Sequence, residues 1–201
     1  MGGAPMPKSS SRKQLPSDMN LETGIPTNLL KARPQPSSLL SYLETEGPFD
    51  GVISFSLGAA LVSTLLLARI PSPALARLKC VIFFCGQPPV RWDMLRDEGR
   101  LELADTRASR GIRTPTAHVW GEQDPMADGA RHLAALCNPA AREVLVHGGR
   151  HEVPSAGDDL IKAVNVIRRV VLMAEEDCVG EYLDEGVSGG NTTAIIASSH
   201  S

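Results

Sequence analysis

Short apolar runs alternate with stretches of helical spacing through the middle of this chain, and that alternation limits the folds open to it. Phe49 to Phe55, Lys79 to Cys85, Thr116 to Trp120 and Arg142 to Val146 read as strands. Leu57 to Arg69 and Ala127 to Cys137 carry helical spacing; the first stops before Pro71 and the second at Asn138-Pro139. A short helix capped by Ser37-Ser38 runs through Leu39, Leu40, Tyr42 and Leu43 and ends at Gly47-Pro48. After the last strand, Asp158 to Ala174 is amphipathic, with Leu160, Ile161, Val164, Ile167 and Val171 on one face. Strands alternating with helices make βαβ units, so an α/β fold with a parallel sheet flanked by helices is expected. Ligands of such sheets bind at the carboxyl ends of the strands. That is where chemistry is to be sought.

The chain has 201 residues, of which 42% are apolar, enough for one globular domain with a buried core. Residues 1–36 hold six prolines and a Ser9-Ser10-Ser11 run and read as a flexible leader. The domain is expected over 37–174, followed by an acidic, then Gly- and Ser-rich tail over 175–201. A net charge of -3 gives no footprint for nucleic acid and no polybasic membrane patch. The apolar stretch Leu57 to Ala68 is too short to span a bilayer, which takes about 20 residues. Cys80, Cys85, Cys137 and Cys178 form no C-x-x-C pair and no zinc-type spacing, so core thiols are expected, with a disulfide as the alternative. Neither a metal nor a cofactor is expected. Unpaired thiols suit a reducing compartment, and the expected location is cytoplasmic.

The first predicted strand ends in Ser54-Phe55-Ser56-Leu57-Gly58, and a helix begins at once. That is the strand-to-helix context of a nucleophile elbow, whose sharp turn needs small neighbours two residues either side of the nucleophile. Leu57 would then offer its backbone N–H to an oxyanion. Ser56 has a structural alternative, as the N-cap of a core helix. The third strand runs into Gly121-Glu122-Gln123-Asp124-Pro125. Asp124 there is a candidate acid and also a candidate N-cap, with Pro125 at the first helical position and Asp128 as the fallback acid. The fourth strand leads to His147-Gly148-Gly149-Arg150-His151, so two histidines compete for the base. His147 closes the strand, and His151 lies on the loop beyond. Ser, Asp, His in chain order is the α/β-hydrolase order. After the second strand, Gly86 to Trp92 should reach the same sheet edge, where Val90 and Trp92 are candidates to line an acyl pocket.

Several pieces together resemble the fungal-type serine hydrolase family called FSH, a branch of the α/β-hydrolases. They are Gly47 to Ala60, Phe83 to Pro89, Pro115 to Pro125, Leu136 to Ala140, and His151-Glu152-Val153-Pro154. The resemblance runs from about residue 37 to about residue 172. It implies Ser56, Asp124 and His151 as a catalytic triad, and an ester or thioester substrate. A polyketide synthase carrier is the partner it suggests, and secondary metabolism the setting. Three positions depart from the family pattern: Ser54 and Arg150 stand where glycine is usual, and Leu57 where glutamine is usual.

Residues 1–36 match neither the family's first apolar strand nor its His-Gly loop, which supplies the second oxyanion donor. The first strands are therefore expected to be lacking, leaving Phe49 to Phe55 as an apolar sheet edge open to pairing with another chain. Two readings follow. One is an active esterase or thioesterase. The other is an impaired remnant or partner-binding protein that keeps the three residues without a finished oxyanion hole.

Overall fold

The computed structural model describes residues 36–105 and 111–184. The expected leader and the end of the tail lie outside these residues. The elements in order are α1 (Pro36–Glu46), β1 (Gly51–Phe55), α2 (Leu57–Ala68), α3 (Pro73–Ala76), β2 (Cys80–Phe84) and α4 (Trp92–Glu98). There follow β3 (Thr116–Gly121), α5 (Ala127–Ala135), a 3-10 turn (Pro139–Ala141), β4 (Arg142–His147) and α6 (Gly157–Asp184).

The four strands form one parallel sheet in the order β1-β2-β3-β4, so each crossover places a strand beside its predecessor. Alternate side chains leave the sheet on opposite faces. On one face Val81 and Phe83 pack with Ala59 and Val62 of α2 and Leu133 of α5. On the other, Ile82, Phe84, Ala117 and Val119 pack with Ala163, Val166 and Val170 of α6. A sheet buried on both faces explains why β2 and β3 read as continuous apolar runs rather than as alternating ones.

Among the described residues β1 is an edge strand. Helix α6 packs chiefly over β4, β3 and β2. Ile53, which points to the α6 side, is consequently 71% exposed, and Phe55 beside it is exposed too. Val52 and Ser54 point the other way, toward α2; Ser54 is buried, and its hydroxyl donates to the Ile82 carbonyl at 3.3 Å.

Two differences from the sequence reading have local causes. Helix α6 runs on to Asp184, past the expected end at Ala174, because no proline interrupts Glu175 to Asp184. Helix α4 was hidden in a polar stretch, Trp92-Asp93-Met94-Leu95-Arg96-Asp97-Glu98, which buries no residue fully.

His118 is a core residue of β3, 1% exposed, with its Nε2 3.1 Å from Thr116 Oγ1 and its ring 5.1 Å from that of Phe83. Burial pushes this imidazole down to about 3 from an ordinary 6.5, so it stays neutral in the fold. The unfolded chain takes up a proton near pH 6.5, about the ordinary value, before the folded chain does, so stability is lost as pH falls from there toward 3. In His118→Gln this component is gone. Urea midpoints measured over that window should fall less steeply with acid than in the wild type; identical slopes would contradict the assignment.

Candidate active site

Ser56 lies between β1 and α2 with φ 51° and ψ -116°, a backbone conformation costly for a residue with a Cβ. The sharp turn lifts the side chain out at the carboxyl edge of the sheet. The small neighbours it needs are present: a Cβ placed on Gly58 would sit 3.7 Å from Ser54 Cβ, an ordinary contact. Serine at position 54 thus fits where glycine is usual, and its hydroxyl is satisfied in the core. The Ser56 N–H donates to Phe84 O at 2.9 Å, and its carbonyl accepts from Ala59 and Gln87, which fixes the turn against β2.

The Ser56 hydroxyl makes no capping bond to α2. It lies 2.9 Å from His151 Nε2, and His151 Nδ1 lies 2.9 Å from Asp124 Oδ2. With a carboxylate at Nδ1, that nitrogen carries the proton, and Nε2 presents its lone pair to the serine hydroxyl. The Asp124 side chain is fully buried, while His151 keeps 28% of its side chain exposed. The two roles foreseen for Asp124 coexist in altered form. Its Oδ1 accepts from Met126 N at 2.8 Å and so orders the turn, but α5 begins only at Ala127 and Asp124 is not its N-cap. Asp128 instead pairs with Arg131 on the surface.

Of the two histidines, His147 stays away from Ser56. It is buried at the end of β4, where its Nδ1 accepts from Gly149 N at 3.1 Å and shapes the loop that carries His151. That loop is also clasped from β3: Glu122 N donates to His147 O and Gln123 N to Gly149 O. Gly121 permits the clasp, since a Cβ there would collide with the carbonyl oxygens of Gly149 and Arg150.

Leu57 is the first residue of α2, so its N–H has no acceptor within the helix. Val90 and Trp92 lie elsewhere. Val90 N donates to Thr64 Oγ1, and both residues line a cavity of about 680 Å³ with Leu67, Arg69 and Glu102. This is the far end of α2, roughly 15 Å along the helix from Ser56. The connector starts at the sheet edge, where Gln87 N donates to Ser56 O, and then turns along α2 at Val90.

Two neighbours of the site were not singled out by sequence. The Phe55 ring meets the His151 imidazole edge-on at 5.1 Å. Cys85, read only as a core thiol, is buried beside Asp124 and His151, and its Sγ donates to Glu152 O at 3.4 Å. Cys80, Cys85 and Cys137 are all free thiols, so no disulfide joins Cys80 to Cys85. One ligand atom from each of Cys85, Asp124 and His151 falls within 4.8 Å of the others. Burial and then the adjacent Asp124 charge push the Cys85 thiol up to about 12, so it keeps its proton, and the set is a hydrogen-bonded cluster rather than a ready metal cage.

A hydroxyl, an imidazole and a carboxylate aligned at the carboxyl edge of a parallel sheet make up the kind of site that serine hydrolases of the α/β class use. Residues 27–163 match the family described as serine hydrolase (FSH1), and the chain belongs to it. It is 32% identical over 179 residues to "Esterase FPY3" of Fusarium mangiferae, covering 85% of this chain and 81% of that protein. It is 27% identical to "Esterase FUS5" of Gibberella fujikuroi, covering 67% of this chain and 54% of that protein. The "Dihydromonacolin L-[lovastatin nonaketide synthase] thioesterase" of Aspergillus terreus is 28% identical, over 64% of this chain and 55% of that one. The chain thus spans about half the length of the latter two.

Proposed function

We infer that this protein hydrolyses a carboxylic ester or thioester through an acyl-enzyme on Ser56. The observation that carries the reading is the unbroken line from Asp124 to His151 to Ser56, at two distances of 2.9 Å, with the serine held in a strained turn. His151 Nε2 takes the hydroxyl proton as Ser56 Oγ attacks the carbonyl carbon. The Leu57 N–H stabilises the resulting oxyanion. The tetrahedral adduct collapses, and His151 returns the proton to the departing alcohol or thiol. Water then attacks the acyl carbon as His151 takes its proton, and His151 returns that proton to Ser56 Oγ as the acid leaves. Asp124 holds the imidazole tautomer throughout and stabilises its cation.

The name of the Aspergillus relative supports a thioester, with a polyketide synthase carrier as the partner and secondary metabolism as the setting. Among the described residues no helix is long and apolar enough to cross a membrane, and the free thiols suit the cytoplasm.

One observation favours a second reading. β1 is a sheet edge, and among the described residues no strand lies beside it to carry a second oxyanion donor. One missing donor typically costs about 10²–10³ in turnover. The second reading is therefore an impaired hydrolase, or a protein that pairs with a partner through that edge. A fluorophosphonate probe separates the two: labelling of Ser56 is expected, and folded protein that resists the probe would leave only the second. Hydrolysis of a p-nitrophenyl ester should fall about 10³-fold or more in His151→Ala. His147→Ala should instead lower the unfolding midpoint, with a far smaller effect on turnover; the reverse pattern would show that the base is misassigned.

A further inference from the structure

We propose that Cys85 is a positioning residue of this site: its thiol donates between the Asp124 carboxylate and the Glu152 carbonyl and so ties the acid to the loop that carries the base. The proposal rests on the hydrolase reading above and deepens it.

Cys85 is the first residue after β2 and has φ 48°, a left-handed conformation that a side chain makes costly. Gly86 follows directly, so a turn alone would be cheaper with glycine one place earlier. The strained residue nevertheless keeps the ladder, its N–H donating to Val119 O at 2.8 Å. That bond fixes the Cys85 backbone against β3, and the side chain enters the space between the strand ends and the His151 loop. There Sγ reaches Glu152 O at 3.4 Å, the carbonyl next in chain to His151, and lies within 4.8 Å of the facing Asp124 and His151 atoms. The thiol is 1% exposed and also touches the core formed with Trp120 and Ala127.

The chemistry of the group suits the position. A thiol that keeps its proton can only relieve the buried carboxylate, whereas a second anion there would compete with Asp124 for the imidazolium. The single S–H serves either acceptor, the Asp124 oxygen or the Glu152 carbonyl. Both bonds hold the same geometry, because Asp124 closes on one side of His151 and Glu152 continues its loop on the other.

The test compares Cys85→Ala with Cys85→Ser in p-nitrophenyl acetate hydrolysis across pH. Loss of the donor in Cys85→Ala should lower kcat about tenfold with KM within about twofold. It should also move the acidic limb of the kcat/KM profile to higher pH, since a carboxylate relieved of no charge holds the imidazolium more strongly. Cys85→Ser, which keeps a donor, should stay within about threefold of wild type, its limb unmoved. Equal behaviour of the two variants, with the limb in place, would mean that Cys85 only fills space and would overturn the proposal. The bond also has a readout free of turnover. The infrared S–H stretch assigned to Cys85 by difference against Cys85→Ser should rise in frequency in Asp124→Asn, a weaker acceptor. An unmoved band overturns the proposal even where Cys85→Ala does not fold. Failure of the hydrolase reading looks different: hydrolysis by the wild type would match that of Ser56→Ala, while the S–H band would still report on the Asp124 bond.

Discussion

Replacing Ser56 by alanine should abolish ester hydrolysis, with kcat falling about 10⁴-fold or more, and should leave the fold intact. The magnitude follows from the role. Without the hydroxyl no acyl-enzyme forms, and what survives is the small acceleration that the remaining donors give to direct attack by water. The fold should tolerate the change because the hydroxyl's partner is His151 Nε2 and not the backbone of α2. Removing it also leaves a φ of 51° that alanine bears no better than serine, so little stability is gained or lost. Turnover of a p-nitrophenyl ester, together with probe labelling and a urea melt, checks all three parts. A variant that still labels would move the nucleophile elsewhere. A variant that unfolds would leave the kinetic loss without meaning.

The second large effect is expected at a residue that touches no substrate. In Gly121→Ala the new Cβ would collide with the carbonyls of Gly149 and Arg150, two backbone groups that cannot swing aside like a flexible side chain. The His151 loop must move away from β3, which breaks the bond from Gln123 N to Gly149 O and draws the imidazole off its line to Ser56. Overpacking of this kind costs about 1–3 kcal/mol of stability. A displacement of roughly 1 Å at a reacting group costs on the order of 10² in rate. Gly148→Ala is the control on the same loop, because a Cβ there meets nothing within 4 Å. Equal turnover in the two variants would show that the clasp from β3 does not govern the base.

The strands, the parallel sheet and the chain positions of Ser56, Asp124 and His151 were legible because each depends on local pattern. A buried parallel strand must be apolar on both faces, and an elbow must have small neighbours, whatever lies around it. Two things were not legible, each for a tertiary reason. Val90 and Trp92 come soon after β2, yet the bond from Val90 N to Thr64 Oγ1 draws them toward the far end of α2. Cys85 reads as one more thiol in an apolar run, since nothing in Val81 to Gly86 tells that the chain enters a left-handed conformation there. An apolar edge over Phe49 to Phe55 was expected, and among the described residues Ile53 of β1 is 71% exposed.

The strand order has a consequence for how the molecule comes into being. Each strand pairs with the one made just before it, so the sheet can grow stepwise as the chain leaves the ribosome. The bond between Ser56 and His151 obeys a different clock, for it closes a separation of 95 residues across the whole sheet. Everything from β1 through the loop beyond β4 must be in place before the hydroxyl meets its base. Turnover would then be the last property to emerge during synthesis and the first to vanish when either end of the sheet frays.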